Sequence, residues 1–336
     1  MDTAIRCARK GWPVHPLVPG LKIPAGNCPR CRTEDHSPEH CSCHAADRWC
    51  HGFHAATTNL SRIRRWWTSN PRFGVGVSCG PARVVVLDVD VRAKAQPTRD
   101  RLLPGIPVHP SIDLTGLETG FDTLALLAAY RGQVNPCADE TTLRVQTASG
   151  GMHIWYSLPQ GRRLRSSFGA GASAALAWQV DVRAEKGYVV APRTQTRRGT
   201  YRPVGPVIEP ACLPAWLAAE LTRTGHAVSS SPRPEPAAPV QVHRFVGVDG
   251  LSRLLEAVEA CAAAPEGTGF TGKLNRAAFT AGGLVAAGRL SREEAVDRLT
   301  RAAESARPSQ SARNNRTIRD GLSAGARSPL HVKGRS

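Results

Sequence analysis

Asp88 and Asp90 close a run of valine and leucine, VVVLDVD over residues 84–90, and carboxylates spaced that way have a chemical consequence. Side chains alternate between the faces of a strand, so both project from one face, about 7 Å apart along the chain. Two carboxylates so placed repel each other. A divalent cation removes the repulsion, and hard oxygen donors suit Mg²⁺ or Mn²⁺. Asp181, within WQVDVR over residues 178–183, offers a third carboxylate on another strand-like run. In TASGGMHIWY, residues 147–156, the turn at Ser149, Gly150 and Gly151 can present backbone N–H groups to a phosphate. His153 follows at the start of the next strand, where it can hydrogen-bond a phosphate oxygen. Two metals held by three carboxylates activate a hydroxyl and stabilise a pyrophosphate leaving group, which is the chemistry of nucleotidyl transfer.

Each motif has a blander reading. An Asp-x-Asp also ends strands in phosphatases of the haloacid dehalogenase type, but those want Thr or Val where this chain has Arg92. A lone histidine on an apolar strand is more often a core residue, and the preceding Ser-Gly-Gly reverses that preference here. Asp181 has a possible partner of its own in Arg183, two residues along the same face. Its position just before GYVVAP, residues 187–192, favours metal instead.

Taken in order, the Asp-x-Asp, the SGGMHIW segment and the Asp-x-Arg followed by GYVVAP resemble the catalytic signature of the primase-polymerase domain of the archaeo-eukaryotic primase superfamily. The nearest likeness is to bifunctional DNA primase/polymerase proteins of bacterial mobile elements and phages. GWPV at 11–14, PGLKIP at 19–24, ATT at 56–58, IRRWW at 63–67 and GVGV at 74–77 extend it over residues 4–203. The resemblance implies an α+β fold with a mixed sheet and an RRM-like catalytic core. It implies metal ligation by Asp88, Asp90 and Asp181, a triphosphate held by Ser149, Gly150, Gly151 and His153, and a single-stranded DNA template copied from nucleoside triphosphates. Ala184-Glu185-Lys186 stands where the family often has a glycine, so Arg183 and Lys186 are the neighbours of Asp181 to consider for nucleotide contact.

Ten cysteines are present, and Cys28, Cys31, Cys41, Cys43 and Cys50 crowd into one short stretch with His36, His40, His44, His51 and His54. A Cys-x-x-Cys followed by further cysteines matches the spacing of a structural zinc site. One Zn²⁺ is expected, held by four of the five cysteines or with His51 in place of one. Residues 26–49 contain no core-forming apolar run, so metal is what would offset the ordering entropy of the loop. The block reads as an insertion at about residues 26–54.

The 336 residues carry 44 Lys and Arg against 27 Asp and Glu, a formal charge of +17, which implies a polyanionic partner and fits nucleic acid. No apolar run of about 18 residues exists and the N-terminus lacks the apolar core of a signal peptide, so a cytoplasmic protein with no membrane partner is expected. No Walker A motif occurs; any helicase or replication initiator would be a separate protein.

The elements that must position these groups follow from periodicity. A helix is expected at 3–10, a strand at 12–17, and a helix at 59–69 whose Trp66 and Trp67 pack inward. Strands at 73–78 and 84–90 should form a hairpin, and residues 92–140 an elaboration containing a helix at 122–130. Strands at 142–147, 152–157, 178–182 and 187–191 complete one sheet with its three aspartates on one face. Residues 1–225 would be the catalytic domain, 226–245 a Pro/Ser/Ala-rich linker, and 246–330 a four-helix bundle. Its last helix carries Arg313, Arg316 and Arg319, candidate DNA contacts on a module that assists template and nucleotide binding. Two other readings use the same residues: a non-catalytic, zinc-bearing DNA-binding replication or regulatory protein, and a metal-dependent nuclease. The first has no use for clustered negative charge, and the second none for a triphosphate-holding turn.

Overall fold

The computed structural model describes residues 1–26, 28, 36, 40–92, 95–167, 175–228, 248–263 and 270–327. Two compact units emerge, one of Met1–Gly26 and Ser42–Pro232, the other of Asn27–Cys41 and Arg233–Ser336.

The first unit opens with helix α1 (Asp2–Arg9) and strand β1 (Val14–Leu17), followed by the short helix α2 (Ser42–Ala45). Helix α3 (Leu60–Ser69) begins where Asn59 caps it, accepting from the Arg62 N–H at 3.0 Å. It buries Ile63, Trp66 and Trp67 on its inner side. Strands β2 (Gly74–Ser78) and β3 (Val84–Val89) precede two helices, α4 (Arg99–Leu102) and α5 (Gly120–Tyr130). A capping box between Thr119 and Asp122 starts α5 two residues earlier than periodicity suggests. Then come β4 (Arg144–Gln146), β5 (Met152–Ser157), β6 (Val180–Arg183), β7 (Tyr188–Val190), the short strands β8 (Gln195–Thr196), β9 (Gly199–Thr200), β10 (Arg202–Val204) and β11 (Ala211–Cys212), and helix α6 (Ala215–Arg223).

These strands form two main sheets where one was expected. The larger runs β10-β4-β5-β3-β6, antiparallel throughout, with β11 added parallel to the end of β5. The smaller is β1-β2-β7, also antiparallel. The expected hairpin between β2 and β3 is therefore corrected: residues 79–83 carry the chain from one sheet to the other, with Arg83 in the left-handed region at φ 52°. A matching break separates β6 from β7, where Lys186 takes φ 57°. A left-handed residue ends the extended run and lets β7 leave the plane of β6.

Two cores lie on opposite faces of the larger sheet. Val85, Leu87 and Val89 of β3 pack with Ile154 and Tyr156 of β5, Val180 and Val182 of β6, and Leu124, Leu127 and Leu217 of the covering helices. Val84 and Val86 face the other way, against Trp155 and against Val14, Val75, Val77 and Val190 of the smaller sheet. Alternation thus assigns Asp88 of β3, His153 of β5 and Asp181 and Arg183 of β6 to the second face.

The second unit comprises α7 (Val248–Glu259), α8 (Phe270–Ala286), α9 (Arg292–Ala306) and α10 (Ser311–Ala326) around Leu251, Leu274, Leu284, Leu299 and Ile318. Ser291 caps α9, accepting from Glu294 N–H at 3.0 Å. Helices α8 and α10 approach so closely that a Cβ on Gly282 would run into the Leu322 carbonyl and one on Gly325 into that of Phe279. The expected linker lies almost wholly outside the described residues. Among those described, no helix is long and apolar enough to cross a membrane.

Candidate active site

Three adjacent strands bring the predicted residues side by side. In the β3–β5 register Asp88 lies opposite His153, and in the β3–β6 register it lies opposite Asp181. His153 Nε2 is 3.4 Å from Asp88 Oδ1. Arg183 Nη2 donates to Asp88 Oδ2 at 3.2 Å and to Asp181 Oδ2 at 3.1 Å, so one guanidinium joins two carboxylates. Asp90, one step beyond the strand, pairs with Arg92 at 2.8 Å. Its backbone is fixed on both sides, the N–H donating to Gln179 O and the carbonyl accepting from Gly120 N–H.

The electrostatics divide the two neighbouring aspartates. Burial opposes ionisation of Asp88, but the hydrogen bond and charge of His153 and the guanidinium of Arg183 outweigh it and hold the carboxyl well below the usual range. Asp90 is displaced upward, by burial and then by the charge of Asp88, with Asp181 adding and Arg92 opposing. Three negative charges therefore sense one another, as a cation site requires. Their oxygens are hard donors of the kind Mg²⁺ or Mn²⁺ takes. They do not form a cluster as tight as that of the cysteines: among the described residues, groups of three or more ligating side chains with all ligand atoms within 4.8 Å consist of cysteine and histidine only. Arg183 and Arg92 neutralise the carboxylates as they stand.

In the turn after β4, one of the amides expected to face phosphate, that of Gly150, is taken up within the turn itself. Gly150, at φ 89°, gives its N–H to Thr147 O at 3.1 Å, and Ser149 Oγ lies 3.2 Å from Thr147 Oγ1. Gly151 packs so tightly on β3 that a Cβ there would collide with the Val89 carbonyl. The glycines thus serve to seat the turn beside Asp90. His153 is 5 % exposed, and its Nδ1 is buried without a hydrogen-bond partner.

Several residues near the carboxylates escape sequence reasoning. Tyr201 lies 5.4 Å from His153, and burial and the charges of Asp88 and Asp90 raise its phenol. Lys22 Nζ sits 5.6 Å from the Tyr201 ring, and the charge of Arg198 also reaches that phenol. Tyr201 thus has two cations around it, Lys22 from the PGLKIP segment and Arg198 from the β8–β9 turn. Lys186 lies near His54, whose imidazole it helps to hold below the usual range after burial and His51.

In the cysteine block, the ligand atoms of Cys28, Cys41, Cys43 and Cys50 all lie within 4.8 Å of one another, and His36, Cys41 and His51 form a second grouping that shares Cys41. Cys41, Cys43 and Cys50 are buried. Four converging thiols, three of them buried, fit a tetrahedral metal site. The expected contribution of Cys31 lies outside the described residues. The block is fastened to α3: Arg62 Nε donates to Asp47 at 3.1 Å, and Trp66 Nε1 donates to Asp47 O at 2.7 Å. Arg313, Arg316 and Arg319 are exposed on α10, opposite its buried Asn314, Ile318 and Leu322.

Residues 4–216 match the family model described as bifunctional DNA primase/polymerase, N-terminal (Prim-Pol), and the chain belongs to that family. No curated protein matches the chain.

Proposed function

We propose that this member of the bifunctional DNA primase/polymerase family starts and extends primers on single-stranded DNA by two-metal nucleotidyl transfer, on a core of the archaeo-eukaryotic primase type. Membership supports a primase/polymerase function in general. The observation that carries the finer reading is the line of Asp181, Asp88 and His153 across three paired strands, with Asp90 at the strand end.

Asp88, Asp90 and Asp181 would hold two Mg²⁺ or Mn²⁺ ions. When bound, they make the attacking 3′-hydroxyl more acidic and neutralise charge on the transferring phosphate. The protein's own part is positional. Arg183 keeps Asp88 ionised and is the nearest cation to turn toward a triphosphate once its carboxylate partners are otherwise neutralised. Lys22 and Arg198 add positive charge around Tyr201, and Ser149, Gly150, Gly151 and His153 would hold the incoming triphosphate. The cysteine cluster would hold one structural Zn²⁺. The arginines of α10 are proposed template contacts, with replication of a mobile element or phage as the setting.

The experiment is incubation of the purified chain with unprimed single-stranded DNA, labelled NTPs or dNTPs and Mn²⁺. Labelled oligonucleotides on a sizing gel are expected. A DNA-binding protein without catalysis gives retention of DNA but no product, and a nuclease gives shortened template.

A further inference from the structure

Just beyond Asp90, where Val91 and Arg92 follow β3, lies a cavity of about 680 Å³. Its walls include Val91, Arg92, Gln96, Thr115, Glu118 and Trp178. It is within the range of cavities that enclose a small organic ligand, roughly 300–1,000 Å³. The backbone of Trp178 is pinned on both sides, its peptide N–H donating to Leu102 O at 2.8 Å and its carbonyl accepting from Thr123 Oγ1 at 2.6 Å, and its indole packs partly buried against the core that holds Leu124 and Leu127. A half-buried indole on an anchored backbone, lining the cavity, offers a stacking surface for a planar ring. Arg92 connects the cavity to the carboxylates, since its guanidinium pairs with Asp90 at 2.8 Å while its N–H donates to Gln179 Oε1 at 2.7 Å. Gln179 in turn donates to Glu118 O at 3.0 Å, closing the wall.

Unprimed synthesis poses a problem that extension does not. Two free nucleotides must be held at once, and the first has no duplex beneath it to supply stacking. We propose that this cavity binds the initiating nucleotide, with its base on Trp178 and its sugar toward Asp90. An aromatic surface accepts any base, Thr115 and Glu118 offer groups to sugar hydroxyls, and Arg92 offers a charge to phosphate. The inference rests on the primase/polymerase reading, because only initiation requires a second nucleotide site.

The test compares unprimed synthesis with extension of an annealed primer, using the full chain. Trp178→Ala is expected to raise KM for the initiating nucleotide about tenfold or more, equivalent to about 1.4 kcal/mol. KM for the incoming nucleotide in extension should change much less, and Trp178→Phe should restore most of the loss. Gln96→Glu places a negative charge on an exposed wall residue without touching the core, and it should raise the same KM if Trp178→Ala fails to fold. Equal effects on initiation and extension, or no effect of Gln96→Glu on initiation, overturn the proposal. If the wild-type chain makes no product from any template, the primase/polymerase reading fails, and equilibrium dialysis with labelled AMP decides the cavity separately. Binding by wild type and Trp178→Phe but not Trp178→Ala supports a nucleotide site; absence of binding by wild type removes it.

Discussion

Arg183 donates from Nη2 to Asp88 Oδ2 across the β3–β6 pair, at 3.2 Å, inside the line of carboxylates proposed to take metal. A guanidinium there performs the neutralising task of a cation, and removing it leaves a half-buried carboxylate dependent on His153. Arg183→Ala should lower the thermal midpoint at pH 7 by several degrees, consistent with a loss of about 1–3 kcal/mol for an under-satisfied buried group. Millimolar Mn²⁺ should then raise the midpoint of the variant more than that of wild type. Equal Mn²⁺ responses, followed by scanning calorimetry, would show that the cation does not enter at these carboxylates.

His15 gives the fold a pH dependence unrelated to catalysis. It is 1 % exposed, neither ring nitrogen has a hydrogen-bond partner, and burial pushes its pKa down to about 3, with His54 adding to the effect. The unfolded chain takes up this proton near pH 6.5 while the native chain does not, so stability is fully present above about pH 6.5 and falls as pH drops toward 3. Urea unfolding of His15→Leu should lack part of that acid slope. An unchanged slope between pH 6.5 and 4 would place the titration elsewhere.

Metal analysis separates the cysteines. Cys28, Cys41, Cys43 and Cys50 converge, so Cys43→Ser and Cys50→Ser should lose a tightly held equivalent of zinc together with protease resistance of the block. Cys31→Ser should retain the metal, because four thiolates already complete a tetrahedron. Loss of zinc from Cys31→Ser with retention in Cys50→Ser would exchange their roles.

What the residues reveal before folding, and what they conceal, follows from the range of the interactions involved. Local patterns are readable: Asn59 before α3, Ser291 before α9, the alternation that turns Asp88 away from Val85, Leu87 and Val89, and the inward Trp66 and Trp67 all depend on neighbours in the chain. The transfer of the chain between sheets at Arg83 and Lys186 is hidden, because β2 and β3 look like any hairpin until their partners are known. Tyr201 comes to lie beside His153, and Lys22 over Tyr201, from segments far apart in sequence, with no spacing to announce them. At Gly151 the sequence offers an amide for phosphate, and only the fold adds that its lack of a Cβ lets the turn close on Val89.

Truncation after residue 225 tests the helical unit. Extension of an annealed primer should remain measurable while unprimed synthesis falls at least about tenfold, or about 1.4 kcal/mol in the barrier. Reversing the charge of Arg313, Arg316 and Arg319 should reproduce much of the loss and flatten the salt dependence of DNA binding. A truncated chain that initiates as well as the whole protein would assign these helices to another partner, such as a separate helicase or initiator.

The most direct measurement is product formation on unprimed single-stranded DNA with Mn²⁺ and labelled nucleotides, run in parallel for wild type, Asp88→Ala, Asp90→Ala and Asp181→Ala. Wild type should yield a ladder of short oligonucleotides. Each variant should yield less than roughly 5 % of that product while binding DNA at least as well, since removing a carboxylate cannot weaken attraction to phosphate. Product from the aspartate variants at near wild-type levels, or none from wild type with either class of nucleotide, would contradict metal-dependent nucleotidyl transfer at these carboxylates.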